Sequence, residues 1–170
     1  MMESYHIELA EADQIACLQA IELAAAQRFP EPLLPASVRE QVSSRQELMD
    51  ARRRGQLWVA AGAGRQPVGF AMASVADDMA FLMEVDVHPD HQGRGLGRAL
   101  VNTVVGWASG LALSGVVLTT FQNVPWNAPF YEKLGFRMLT ENEMPEWLRQ
   151  KLEEERTLGL KERVAMKLSC

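Results

Sequence analysis

Cysteine is scarce in this sequence, which has two among its 170 residues, Cys17 and Cys170. One lies in a helical pattern and the other is the last residue, so they make neither a disulfide framework nor a thiolate metal cluster. We therefore expect a chain that depends on an apolar core and works in a reducing compartment.

Long apolar runs and an excess of basic residues are also lacking. No apolar run reaches the length of a membrane span, and the opening segment has no basic stretch leading into an apolar one. The 22 acidic residues exceed the 17 basic ones, giving a net charge of −5, so no overall positive field exists to hold a nucleic acid. These absences predict a cytoplasmic protein without a membrane or nucleic-acid partner, and they leave a homodimer open.

The patterning predicts one α+β domain over residues 1–170, a three-layer arrangement with a mixed central sheet flanked by helices. The expected strands are 4–10, 57–62, 67–77, 79–89, 115–121, 136–141 and 162–169. The expected helices are 11–29, 37–55, 98–110, 127–135 and 145–159. The three strands from 57 to 89 are predicted to form an antiparallel meander, whereas the β–α–β unit over 85–118 requires a parallel pair.

Two predicted elements carry acidic residues at unusual places. The buried stripe of the first helix runs through Ile15, Leu18 and Ala25, with either Ile21 or Glu22 between them. In the strand "FLMEVDVHP", simple alternation divides the side chains between two faces. One face receives Phe81, Met83, Val85 and Val87, and the other receives Leu82, Glu84, Asp86 and His88. Two carboxylates are therefore expected on one side of a central strand.

A glycine-rich turn follows this strand and precedes a helix. Gly93, Gly95 and Gly97 allow the backbone to come close to a ligand, and the N–H groups at the helix start attract anions. Arg94 and Arg98 add positive charge at the rim. A dinucleotide fingerprint would need glycine at position 98, and no lysine with serine or threonine completes a P-loop. The turn thus predicts a phosphate site of another kind.

The segment "QGRGLG", residues 92–97, matches the Q/R-x-x-G-x-G/A signature of the Gcn5-related N-acetyltransferases (GNAT family). A second segment, "PFYEKLGF" over 129–136, resembles the helix and turn that follow later in that family. The order of predicted elements is also similar to the family's layout along nearly the whole chain. The resemblance implies an enzyme that transfers acetyl from acetyl-CoA to a primary amine by direct attack in a ternary complex.

The resemblance also implies roles for particular residues. Cofactor contacts are expected from the backbone of Val85 and Val87, from the loop Gln92, Gly93, Arg94, Gly95, Leu96, Gly97 and Arg98, and from an asparagine, for which we take Asn127 and keep Asn123 as an alternative. Tyr131 would be the general acid that returns a proton to the thiolate. Glu84, with Asp86 second, is our candidate for the group that binds the ammonium ion and takes its proton. The first helices, around Glu22, Arg28 and Phe29, would line the acceptor side.

Other functions find less support in the sequence. His88 and His91 flank Pro89 without a further ligand nearby, so we expect no metal site. No G-x-S-x-G elbow is present for a hydrolase. The alternative from another class is an acyl-CoA binding or sensing module that has lost transfer activity, and the retained Tyr131 and paired acids argue against it.

Overall fold

The computed structural model describes residues 4–170, and the chain there forms a seven-stranded sheet with α-helices on both faces. The strands are β1 (His6–Leu9), β2 (Leu57–Ala61), β3 (Pro67–Ala76), β4 (Met79–Val87), β5 (Gly115–Phe121), β6 (Arg137–Met138) and β7 (Arg163–Ser169). The helices are α1 (Ile15–Ala26), α2 (Ala36–Arg39), α3 (Arg45–Arg53), α4 (Leu96–Gly110), α5 (Ala128–Lys133) and α6 (Glu146–Thr157). None of the helices in this part of the chain has the length and apolarity needed to cross a bilayer.

The sheet is mixed, as predicted. Its strand order is β1-β2-β3-β4-β5-β7-β6, in which β4 and β5 are parallel and the other neighbours are antiparallel. The meander β2-β3-β4 and the β4-α4-β5 crossover are both confirmed. Helices α1, α3 and α6 cover one face through the apolar side chains that alternate along the strands, and α4 and α5 cover the other.

The predicted helix over 37–55 is wrong in one respect, because the structure divides it into α2 and α3. Helix α3 has its own start signal, since the Ser44 side chain accepts a hydrogen bond from the Glu47 N–H at 3.0 Å. The residue before that cap is Ser43, and its backbone N–H donates to the Glu22 carboxyl group on α1 at 2.6 Å. The predicted strand over 136–141 is also shorter, with pairing restricted to Arg137 and Met138.

A β-bulge in β4 corrects the simple alternation. Met72 lies opposite Glu84 and Ala73 lies opposite Leu82, so Met83 has no partner in β3 and is 41% exposed. Leu82 therefore packs on the α4 side, whereas Glu84 and Asp86 face α1. The prediction that Leu82 shares a face with the carboxylates, and Phe81 with Val85, was wrong for this reason. The grouping of Glu84 with Asp86 is confirmed.

The two parallel strands separate soon after they pair. Strand β4 pairs with β5 only at Met79, Ala80 and Phe81, although both strands continue well beyond these residues. The second half of β4 remains paired with β3 on its other edge. The sheet thus opens between β4 and β5, where backbone groups on facing edges are left to pair with something else.

Candidate active site

A cavity of about 410 Å³ lies where β4 and β5 diverge. It is lined by the end of α1, the second half of β4, the loop before α4, and the segment that enters α5. The residues are Ala25, Arg28, Phe29, Val85, Asp86, Val87, His91, Gln92, Gly93, Gly95, Leu96, Gly97, Arg98, Trp126, Asn127, Phe130 and Tyr131. Elements that are distant in sequence therefore surround a single space.

The glycine loop forms one end of this cavity. Gly93 and Gly95 have φ angles of 77° and 78°, and a Cβ at either position would meet no atom within 4 Å. The backbone is therefore both left-handed and open toward a ligand. Gly95 is the residue before α4, whose first N–H groups have no partner within the helix. The Gln92 side chain braces the loop by donating to the Val87 carbonyl at 3.0 Å. This end of the cavity has the features of a phosphate site.

Three carboxyl groups meet beside the cavity. Oxygens of Glu22 on α1 and of Glu84 and Asp86 on β4 lie within 4.8 Å of one another. Glu22 is 8% exposed, and Asp86 is the member of the three that lines the cavity. Both β4 acids are half-buried as whole residues, yet burial is the main influence on the acidity of their carboxyl groups.

This burial changes the acidity of the three groups. Burial, followed by the charges of Asp86 and Glu22, raises the pKa of Glu84 well above its usual range. Burial raises the pKa of Asp86 to about 7, which a contact with Glu84 opposes and the charge of Glu22 supports. Burial also raises the pKa of Glu22, against two hydrogen bonds from Ser43. The cluster therefore retains protons at pH values where exposed carboxyl groups have lost them.

Tyr131 faces the same cavity from α5. Its ring packs edge-on against Phe130 and Phe136, with centroids 5.1 and 5.5 Å away. Burial raises the pKa of its hydroxyl, and the negative charges of Asp86 and Glu84 add to this effect while Arg163 opposes it. The hydroxyl is thus protonated throughout the neutral range and available as a proton donor.

The far wall of the cavity is aromatic and basic. Phe29 packs between Phe121 and Trp126, with ring centroids 5.3 and 5.7 Å away. The Arg28 guanidinium lies 4.3 Å from the centroid of the Trp126 ring, a cation–π arrangement. These contacts join the end of α1 to the segment before α5 and close the cavity over the divergent strands.

A family model described as the acetyltransferase (GNAT) family matches residues 18–136. The chain belongs to this family. As a GNAT acetyltransferase it is an acetyl-CoA-dependent enzyme, and the rival interpretation as a binding module without transfer is not favoured. The matched range contains the glycine loop, both β4 acids and Tyr131.

Solved structures of other GNAT proteins share the fold. N-acetylglutamate synthase from Neisseria gonorrhoeae, complexed with coenzyme A and N-acetyl-glutamate, is 18% identical with a TM-score of 0.75, over 99% of this chain and 36% of that one. The ribosomal-protein-S18-alanine N-acetyltransferase from Escherichia coli is 23% identical with a TM-score of 0.68, over 98% and 94% of the two chains. PaiA N-acetyltransferase from Thermoplasma acidophilum, in complex with coenzyme A, is 15% identical with a TM-score of 0.71, over 98% and 99%. The chain spans about a third of the length of the synthase, and at these identities the likeness concerns the fold.

Most of the residues predicted for the GNAT site line the cavity, and four do not: Arg94, Glu84, Asn123 and Glu22. Arg94 points to the edge of the sheet, where its guanidinium donates to the Tyr5 hydroxyl at 2.5 Å. Glu84 lies behind Asp86 and is not part of the lining. Asn123 donates to Glu162 at 3.3 Å, whereas Asn127 lines the cavity and accepts from the Phe121 N–H at 3.3 Å. The roles assigned to all these residues stay predictions.

Sequence reasoning missed the partnership of Glu22 with the two acids of β4. A signal was present, because Glu22 occupies a position on the apolar stripe of α1, where an acidic side chain needs a polar environment. Ser43 supplies that environment, but no pattern in the sequence indicated that it would contact Glu22. Phe130, which contacts the space where a Cβ of Gly97 would lie, was taken only as a neighbour of the tyrosine.

Proposed function

We propose that this acetyltransferase transfers acetyl from acetyl-CoA to a primary amine by direct attack in a ternary complex. The observation that carries the proposal is that the glycine loop, Asp86 and Tyr131 line one cavity at the opening between β4 and β5. A base, an acid and an anion site therefore face the same space. Positions 85 and 87 on the open edge of β4 can pair through their backbone with an extended amide chain such as pantetheine.

The chain's own groups supply the proton transfers. Acetyl-CoA brings the activated thioester, whose pyrophosphate would lie at the glycine loop. A carboxylate of β4 attracts the ammonium ion and removes its proton, so that the neutral nitrogen can attack the acetyl carbon. As the new C–N bond forms and the C–S bond breaks, the Tyr131 hydroxyl gives its proton to the departing sulfur. The attacking nitrogen then loses its surplus proton to solvent, and the tyrosine regains one from solvent. The products are the N-acetyl amine and the free thiol of coenzyme A.

An acyl-enzyme on cysteine finds no support in the arrangement. Cys17 is half-buried on α1 and Cys170 is exposed, and neither lines the cavity. Direct attack therefore predicts intersecting lines when initial rates are measured over both substrates, whereas a covalent intermediate predicts parallel lines.

The proposal is tested by thiol release from acetyl-CoA across a panel of primary amines, with the product identified by mass. Release that depends on the amine and yields its acetylated form is the expected result. Hydrolysis of acetyl-CoA alone, or no release with any acceptor, would contradict the proposal.

We also propose a cytoplasmic location and no nucleic-acid partner, in line with the net charge of −5 and the two free cysteines. Association into a homodimer is a separate proposal, which light scattering of the purified chain checks.

A further inference from the structure

Glu22 is a buried acid that has no role in the mechanism proposed above. Its two oxygens accept from Ser43, Oε2 from the backbone N–H at 2.6 Å and Oε1 from the hydroxyl at 3.0 Å. Ser43 itself is 9% exposed. Two short donors on a carboxyl group favour its ionised form. Glu22 is thus the member of the cluster with the best reason to be charged.

Glu84 is placed differently. It makes hydrogen-bond contacts with both Glu22 and Asp86, and it faces the buried side of the sheet opposite Met72, which is 2% exposed. A contact between two carboxyl groups requires a proton on one of them. A single proton on Glu84 can be donated to only one of these neighbours at a time, and since Glu22 already accepts two hydrogen bonds from Ser43, that neighbour is Asp86.

Asp86 has a buried oxygen that lacks a donor. Its Oδ2 is inaccessible to solvent, and no N–H or hydroxyl of residues 4–170 reaches it. A protonated Glu84 can donate a hydrogen bond to this oxygen. Asp86 also lines the cavity that the amine is expected to enter. The three acids thus divide into an anchored anion, a neutral donor and a base.

We propose that Glu22, fixed by Ser43, is a positioning residue that keeps the proton on Glu84, and that Asp86 alone among the three takes the proton of the acceptor amine. The idea rests on the proposed acetyl transfer, and it reverses the order in which the sequence ranked the two β4 acids. Other titratable groups near the cluster are Glu47 on α3, which acts on Glu22, and Tyr131 on α5, on which Arg163 of β7 also acts.

The first test separates a neutral donor from a base. Glu84→Gln replaces one uncharged donor with another, and the amide N–H groups can serve both Glu22 and Asp86. We expect this variant to keep kcat/KM for the amine within about 10-fold of wild type, whereas Asp86→Asn loses about 10²-fold or more. An inactive Glu84→Gln beside an active Asp86→Asn would overturn the assignment. If wild type itself releases no thiol, the proposed function fails and not this inference alone.

The second test concerns Glu22. Glu22→Gln removes a negative charge that raises the pKa of Asp86, so the acidic limb of the pH profile of kcat/KM should move to lower pH. Glu47→Gln removes a charge from α3 that acts on Glu22 and not on Asp86, so it should move the limb much less. A uniform loss of kcat with an unmoved limb would mean that Glu22 is only structural and would contradict the proposal.

The third test does not require any variant to be active. Wild type at about pH 8 should show the infrared carbonyl band of a buried protonated carboxyl group, and the band should be absent from Glu84→Gln and present in Asp86→Asn. A divalent cation shared by the three carboxylates is the competing occupant of this space. Loss of activity on chelation, restored by adding the metal, would replace the proton with an ion and overturn the proposal.

Discussion

Tyr131 and Asp86 show how neighbours set the chemistry of single residues. Each is partly enclosed by protein at the open edge of the sheet, and burial raises the pKa of both. For the tyrosine this means a hydroxyl that keeps its proton. For the aspartic acid it means a pKa of about 7, close to the range in which a base alternates between its two states. Burial thus favours Tyr131 as a proton donor and Asp86 as a proton acceptor on the walls of the same cavity.

Removing the Tyr131 hydroxyl should reduce turnover without weakening cofactor binding. We expect Tyr131→Phe to lower kcat by about 10²-fold, the usual size of a general-acid contribution. The ring contacts with Phe130 and Phe136 remain, so the melting temperature and the affinity for acetyl-CoA should change little. Steady-state kinetics together with calorimetry measure both quantities. Near-normal turnover with a lowered melting temperature would instead identify a core tyrosine.

Ionisation of Asp86 should lower the stability of the folded protein at alkaline pH. Its pKa in the fold is about 7 against an ordinary value of 3.8, so the folded protein binds the proton more tightly than the unfolded chain does. Stability gained from this group is complete below about pH 4 and is lost as the pH rises through about 7. Asp86→Asn cannot ionise, so it should melt above wild type near pH 8, with about 4 kcal/mol as the upper limit of the gain, and show little difference near pH 4.

The control for this measurement is Asp90→Asn, which removes the same charge from a side chain that is 83% exposed. We expect its melting temperature to follow that of wild type across the whole range. A melting temperature for Asp86→Asn that also follows wild type would show that Asp86 is not held in an enclosed environment.

The loop between β4 and α4 is the element on which cofactor binding depends. Two of its glycines are left-handed and open, and the first turn of α4 presents unpaired N–H groups beyond them. Gly95→Asp would put a carboxylate into the space where phosphate is expected. The rise in melting temperature caused by acetyl-CoA should therefore disappear while the protein remains folded.

Gly64 provides a matched control, because its φ is 66° and a Cβ there also meets nothing within 4 Å. It lies in the turn between β2 and β3, outside the cavity. Gly64→Asp introduces the same strain and charge, so it should lower the melting temperature by a similar amount and keep the full response to acetyl-CoA. An undiminished response in Gly95→Asp would remove the loop from the cofactor site.

At the scale of the whole molecule, the open sheet is held together beyond the cavity by a buried network. Arg163 on β7 donates to Glu155 on α6 at 3.0 Å, and Thr119 on β5 donates to the same carboxylate at 2.8 Å. The side chains of Arg163 and Glu155 are 14% and 7% exposed. These hydrogen bonds therefore hold β5 against β7 and α6 in the region where β5 is no longer paired with β4.

Breaking this network should be costly. Glu155→Ala leaves the Arg163 charge buried without a carboxylate, and we expect the free energy of unfolding to fall by about 3 kcal/mol and the melting temperature by about 6–12 °C. Glu153→Ala, which removes an exposed pair with Arg156 on the same helix, should cost less than about 1 kcal/mol. Equal losses in denaturant titrations of the two variants would refute a special role for the buried pair.

The sequence by itself determined the features that are local. The glycine loop, the order of helices and strands, and the antiparallel meander follow from turn residues and periodicity, which act over a few positions. The family was evident because both of its motifs are short and continuous, and Tyr131 and the loop residues were found through them. Periodicity also placed Glu84 and Asp86 on one face, since residues two positions apart in a strand point to the same side of the sheet.

Only the tertiary structure decided how distant parts meet. The bulge at Met83 turns the two acids away from α4, and it depends on the register between β3 and β4, which no single strand encodes. The break between α2 and α3 brings Ser43 to Glu22, and Glu22 to Glu84, across 21 and 62 positions of the chain. Acidity depends on such neighbours, because burial and nearby charge act through space and not along the sequence. The sequence could therefore name the carboxyl groups of the site, while the fold decides which of them carries the proton.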